Sequence, residues 1–183
     1  FKIRRGIYFT PDPAFKGRKR EMTAEDYVYS LKRLYDPVLK SPWLFFFEGK
    51  LAGDSALKKN FSHATNIPGL QAVDRYTLRI RLNAPDNNFL LYLATPASGV
   101  VAREVVEAYP GQVGNHPVGT GPFMIGEWKR SDRIVLLANP DSTAVFMGTP
   151  GDNPLDQAIA AALNGKRLPL LGRFVLGLNT ARF

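Results

Sequence analysis

A chain of 183 residues, 45% hydrophobic and 22% charged, has room for one ordinary domain or two small lobes, and its balance excludes a disordered or collagen-like chain. Cysteine is absent, which excludes a disulfide scaffold, a zinc ribbon and a thiol nucleophile. The net charge of +8 is weighted to residues 1–60, where 13 Lys/Arg face 7 Asp/Glu, and no apolar run approaches the roughly 18 residues of a membrane-spanning helix.

The chain opens on Phe1-Lys2-Ile3-Arg4-Arg5 with no initiator methionine and no apolar leader, so it is expected to be an excerpt of a longer protein. Phe1, Ile3, Ile7 and Phe9 alternate about Arg4-Arg5-Gly6, which predicts an antiparallel strand with a kink. Residues 10–22 form a loop rich in proline, glycine and base, with Lys16, Arg18, Lys19 and Arg20 at its centre. Such a cluster suits a phosphate-contacting loop, and residues 2–20 are the alternative site for nucleic acid or acidic partners. No aromatic residue interleaves with it and no nucleic-acid motif accompanies it, so a solvated hairpin tip is the preferred reading.

Thr23-Ala24-Glu25-Asp26 reads as a capping box, Thr23 as N-cap with Asp26 three residues on. Tyr27, Val28, Leu31, Leu34 and Tyr35 then make one apolar helical face, Lys32 and Arg33 suit the negative end of the dipole, and Pro37 stops the helix. On this reading Leu31→Ala costs about 2–5 kcal/mol, and loss of Asp26 roughly 1 kcal/mol as a cap. Residues 38–68 give little pattern beyond the aromatic run Trp43 to Phe47, whose phenylalanines are expected in the core. Thr77 to Leu82 alternates strictly, a half-buried strand with Leu78, Ile80 and Leu82 inward. Short helices are predicted at Phe89–Leu93 and Arg103–Tyr109, and paired strands at Phe123–Ile125 and Ile134–Leu137 with a turn at Trp128–Asp132. A fourth helix is predicted from Pro154 to Leu163 and a last strand from Phe174 to Leu178. The class is α+β.

Catalytic constellations are thin. The two histidines, His63 and His116, lie 53 residues apart without metal-ligand spacing. Gly114 to Thr120 mimics a phosphate loop, but Thr120 stands where the lysine belongs and Pro117 removes an amide. Neither a metal nor a cofactor is expected, and the chain is read as non-catalytic.

Two segments carry a resemblance. The first is Phe1 to Phe9, a loop, then Met22-Thr23-Ala24-Glu25-Asp26-Tyr27-Val28-Tyr29-Ser30-Leu31-Lys32-Arg33. The second is Pro117-Val118-Gly119-Thr120-Gly121-Pro122-Phe123, followed by Glu127-Trp128 and Asn139-Pro140-Asp141, with Gln71-Ala72-Val73-Asp74 between the two. Together they resemble the extracellular solute-binding proteins of family 5, which deliver oligopeptides, dipeptides and related solutes to ABC importers. The resemblance covers roughly residues 1–141. It implies a periplasmic-binding-protein-like fold of type II, the peptide-binding class, here a fragment with mixed sheets flanked by helices. Residues 1–102 would be the smaller lobe and 103–183 part of the main lobe, the second ligand-binding lobe being absent from the chain. It further implies a monomer, periplasmic or extracellular, that meets the membrane through the importer. Its partners would be a peptide or small solute and the permease subunits, with no nucleic acid. The glycines at 119 and 121 are expected to adopt backbone angles closed to other residues. By the same resemblance Trp43, in Ser41-Pro42-Trp43, would stand partly exposed at the wall of the ligand pocket. Thr95, in Ala94-Thr95-Pro96, would be a polar residue at the cleft.

Overall fold

A computed structural model describes residues 1–141 and 174–177. The chain divides into two compact units, Phe1–Gly119 and Thr120–Phe183. The division falls inside the Gly119–Pro122 motif rather than after residue 102. Helix α4 (Arg103–Ala108) is the reason: Val105 is buried with Phe9, Phe15, Met22 and Ala102 of the first unit. The helix expected at 154–163 lies outside the described residues.

The first unit is organised by α1 (Ala24–Arg33). The Thr23 N–H donates to Asp26 Oδ2 at 2.7 Å and the Thr23 hydroxyl donates to the same oxygen at 3.0 Å, closing the predicted cap. The helix ends before Pro37 because the amides of Leu34, Tyr35 and Asp36 each reach back three residues, tightening the last turn. Val28, Leu31, Leu34 and Tyr35 are buried with Phe47, Leu51, Leu57, Ile67, Leu70 and Leu78. This core packs α1 on the hairpin of β1 (Leu70–Asp74) and β2 (Thr77–Ile80). Leu78 is buried in it, while Ile80 and Leu82 lie half-buried against it, as the alternation predicts. Gly69 is required here: a Cβ would lie 2.7 Å from the backbone of Ala52, whose carbonyl accepts the Gly69 amide at 2.8 Å. The short α2 (Ser55–Lys59) and α3 (Phe89–Leu93) add Leu57 and Phe89.

Residues 1–9 are not a strand. Lys2 bridges Thr77 and Tyr8 bridges Glu21, as isolated pairs. Gly6 breaks the run with φ +75°, and its amide donates to the Glu21 carboxylate at 2.8 Å instead of to a neighbouring backbone. Asp26 also does more than cap. It is 3% exposed, and Arg20 donates to both its oxygens, at 2.6 and 3.1 Å, while reaching Glu104 at 2.7 Å. Arg20 therefore ties the loop to α1 and α4, and one of the four clustered cations is structural. Removing Asp26 would take one of the two carboxylates from this partly buried guanidinium, so the cost rises from the capping value of roughly 1 kcal/mol to about 3 kcal/mol.

In the second unit, β3 (Phe123–Lys129), β4 (Arg133–Ala138) and β5 (Phe174–Gly177) make one sheet in that order. Both described sheets are antiparallel throughout. Asn139 fastens the Gly-Thr-Gly-Pro motif: its amide donates to Pro122 O and its side chain to Gly121 O, both at 2.8 Å. Gly119 and Gly121 are not in the left-handed region, and a Cβ at either would meet nothing within 4 Å. Nothing in the structure explains why these two positions are glycine.

Candidate functional site

The aromatic run after α1 is split by a tight 3-10 turn at Leu44–Phe46. With about three residues per turn, neighbours point in different directions. Phe47 is 0% exposed in the core, Phe46 is half-buried, and Phe45 is 61% exposed, so one of the three expected core phenylalanines is on the surface. Trp43 is 47% exposed. Its ring stacks on Phe46 at 5.8 Å, and Phe46 stacks on Tyr92 at 5.1 Å. The Lys50 ammonium lies 4.7 Å over the Tyr92 ring and pairs with Asp86 at 2.5 Å. Along this ladder α3 buries Phe89 and leaves Leu90 and Leu91 exposed.

Beside Trp43 runs a groove of about 260 Å³. One wall is α1 with Ser30, Arg33 and Leu34; the other is Pro96, Ala97 and Gly99; Leu39, Ser41 and Trp43 form the rim. The two walls are bolted together through Ser30, whose hydroxyl donates to Asp26 O at 2.6 Å and accepts from the Val101 amide at 2.9 Å. Ser41 holds the rim, its Oγ accepting from the Trp43 amide at 3.3 Å. The groove is thus lined by apolar side chains, backbone and the hydroxyls of Ser30 and Ser41, with one cation, Arg33, in its α1 wall. It can accept a small molecule's apolar side chains without demanding particular hydrogen bonds.

Of the two residues singled out from the sequence, Trp43 stands on this rim. Thr95 does not line the groove, although its two successors do. Its hydroxyl donates to Tyr92 O at 2.7 Å, which closes α3 and starts the 3-10 turn Pro96–Ser98. Sequence reasoning missed Pro96, Ala97 and Gly99. Pro-Ala-Ser-Gly carries no chemical motif, and it meets α1 through long-range packing and the nearby Ser30–Val101 bond. A larger, shallower hollow of about 430 Å³ lies at Lys2, Arg5, Arg75 and Tyr76. Its cations are engaged: Arg75 pairs with Glu21 at 3.1 Å, and Lys2 donates to Thr77 Oγ1 at 2.8 Å.

The histidines lie apart from the groove's lining. His63 stacks on Tyr29 at 4.3 Å with Phe61 edge-on at 4.9 Å, and burial holds its imidazole below the ordinary value, with Arg103, Lys32 and Arg33 adding to the effect. His116 lies flat on Tyr109 at 3.5 Å, with Asp12 3.9 Å away. Among the described residues no three His, Asp or Glu side chains group as a metal site would need. Among the same residues no helix is long and apolar enough to cross a membrane.

The family model for bacterial extracellular solute-binding proteins, family 5 Middle, matches residues 1–163. The chain belongs to that family. Its relatives include di/tripeptide-binding protein 4 of Pseudomonas aeruginosa, 30% identical over 88% of this chain and 29% of that protein. The murein tripeptide binding protein MppA of Escherichia coli superposes on 77% of this chain with a TM-score of 0.62 and 27% identity. The substrate-binding domain of an oligopeptide ABC transporter from Bacillus anthracis gives 0.66 over 78% at 24% identity, a likeness of fold. The fold is therefore that of the periplasmic peptide-binding proteins, as the two motifs implied. The chain spans 26% to 29% of the length of these three proteins.

Proposed function

We propose that this chain is part of the solute-binding component of an ABC importer, non-catalytic and monomeric, that captures peptides or related small solutes outside the cytoplasmic membrane and hands them to permease subunits. The observation that carries the reading is the open aromatic rim of Trp43 above a groove of mixed apolar and polar lining, in a chain of a family whose relatives are named for peptide binding. An aromatic face suits peptides because their side chains vary, and a flat ring accepts many shapes. Thr95 acts in this proposal through its neighbours, fixing where Pro96 and Ala97 stand, rather than by touching the ligand. The lobe boundary is proposed after Gly119, with the first unit offering one face of a cleft that closes in the complete receptor. One face desolvates a ligand only partly, so the chain by itself binds peptide weakly.

Calorimetry tests this. Tri- and tetrapeptides should bind the 183-residue chain with dissociation constants of about 1 mM or weaker, nearly independent of salt. A short DNA duplex that bound more tightly, with an affinity falling steeply with salt, would replace the reading by that of a nucleic-acid domain.

A further inference from the structure

The loop between Tyr8 and Glu21 is a braced prong whose cations are sorted by what they touch. Its base is fixed by the Tyr8–Glu21 bridge, by the Phe9 amide on Arg20 O at 2.9 Å and by the Met22 amide on Ile7 O at 2.8 Å. Inside it Phe15 is buried beside Phe9, ring centroids 6.3 Å apart. Asp12 caps the turn Pro13–Phe15 by accepting from the Ala14 amide at 2.8 Å. The tip then reverses on two successive left-handed residues, Lys16 at φ 52° and Gly17 at φ 75°. Lys16, Arg18 and Lys19 are exposed there, with Lys19 5.9 Å over the Tyr8 ring, whereas Arg20 turns inward to Asp26 and Glu104. Asp12 is the one acid in residues 1–20, and its side chain is 7% exposed. Arg4 and Arg5 are exposed beyond the other end of the same ribbon.

We propose that this prong docks on the anionic lipid headgroups of a bilayer, with Lys16, Arg18 and Lys19 making the contact. These cations are carried on long side chains over a rigid base, and neither hollow described above includes them. A discrete phosphate is held best by forked, partly buried donors, and single-stranded nucleic acid by stacking rings. The tip presents neither. A bilayer offers diffuse negative charge that needs no shape match and rewards each nearby cation about fivefold. The importer reading puts such a surface within reach of the protein, but the test below does not use a peptide, so its failure leaves that reading standing.

The test is co-sedimentation of the 183-residue chain with large vesicles of phosphatidylcholine alone or with about 30% phosphatidylglycerol. Binding should appear only with the anionic lipid and fall at least about tenfold between roughly 20 mM and 500 mM NaCl, as screening shortens the reach of exposed charges. The double variant Lys16→Glu/Arg18→Glu should lose binding by about tenfold or more, with an unchanged circular dichroism spectrum because both side chains are exposed. Lys40→Glu/Lys59→Glu makes the same change in net charge away from the prong and should keep most of the binding. Equal loss in both variants would assign binding to net charge and overturn the proposal. So would binding to pure phosphatidylcholine, or a short oligonucleotide that competes the chain off the vesicles at lower concentration than phosphatidylglycerol.

Discussion

The core under α1 and the aromatic ladder beside it draw on the same side chains, and Phe45 and Phe47 belong to one tripeptide. In the core Phe47 meets Phe89 edge-on at 6.1 Å, and at 0% and 5% exposure neither ring leaves a face for a partner. On the ladder the rings stack in a row, Trp43 on Phe46 on Tyr92, so each is steadied by its neighbour while one face or edge stays open. Rigidity without coverage is what a binding surface needs, since a ring already held loses little freedom when a ligand arrives. The contrast separates rings that fill the core from rings that are held yet left open.

Phe47→Ala should break the first class, costing about 3–5 kcal/mol by denaturant titration, whereas Phe45→Ala should stay within about 0.5 kcal/mol. Equal costs would erase the distinction. Leu31→Ala should cost about 2–5 kcal/mol by the same measure, and a neutral result would mean that the apolar face of α1 is wrongly placed. Asp26→Ala should cost about 3 kcal/mol because it leaves Arg20 half-buried beside a single carboxylate; a loss of only about 1 kcal/mol would return Asp26 to a simple cap.

A smaller effect comes from pH. Burial lowers the His63 value, so the folded chain takes up this proton later than the unfolded chain does. Its contribution is whole above the ordinary value of about 6.5 and is lost as pH falls from there towards the folded value. His63→Gln should flatten the stability curve immediately below about pH 6.5, where the parent curve declines. A parent curve already flat in that window would show the imidazole to be solvated. Smallest of all, Trp43→Ala should change stability by no more than about 0.5 kcal/mol.

The core was the legible part. The capping box, the Tyr27 to Tyr35 stripe and the Thr77 to Leu82 alternation each act over one turn or one strand, and local spacing encodes them. The role of Arg20 was not legible, because its partners Asp26 and Glu104 lie 6 and 84 residues away. The same holds for the groove. Trp43 was picked out through a resemblance, but the facing wall at Pro96–Gly99 comes to α1 from far along the chain, beside the Ser30–Val101 bond that spans 71 residues, and no local pattern announces it. The bond of the Thr95 hydroxyl to Tyr92 O was not legible either, since a hydroxyl at a helix end reads the same whether it faces a ligand or its own backbone.

The most direct test is nuclear magnetic resonance of the isotope-labelled chain titrated with a tripeptide to several millimolar. The account predicts progressive shifts at the Trp43 indole N–H and at the amides of Ala97, Ser98 and Gly99, with those of Leu31 and Phe47 still. Trp43→Ala should abolish the response without unfolding the chain. Shifts confined to the Lys2–Arg5–Tyr76 hollow, or none at Trp43 and residues 97–99 at any concentration, would contradict it.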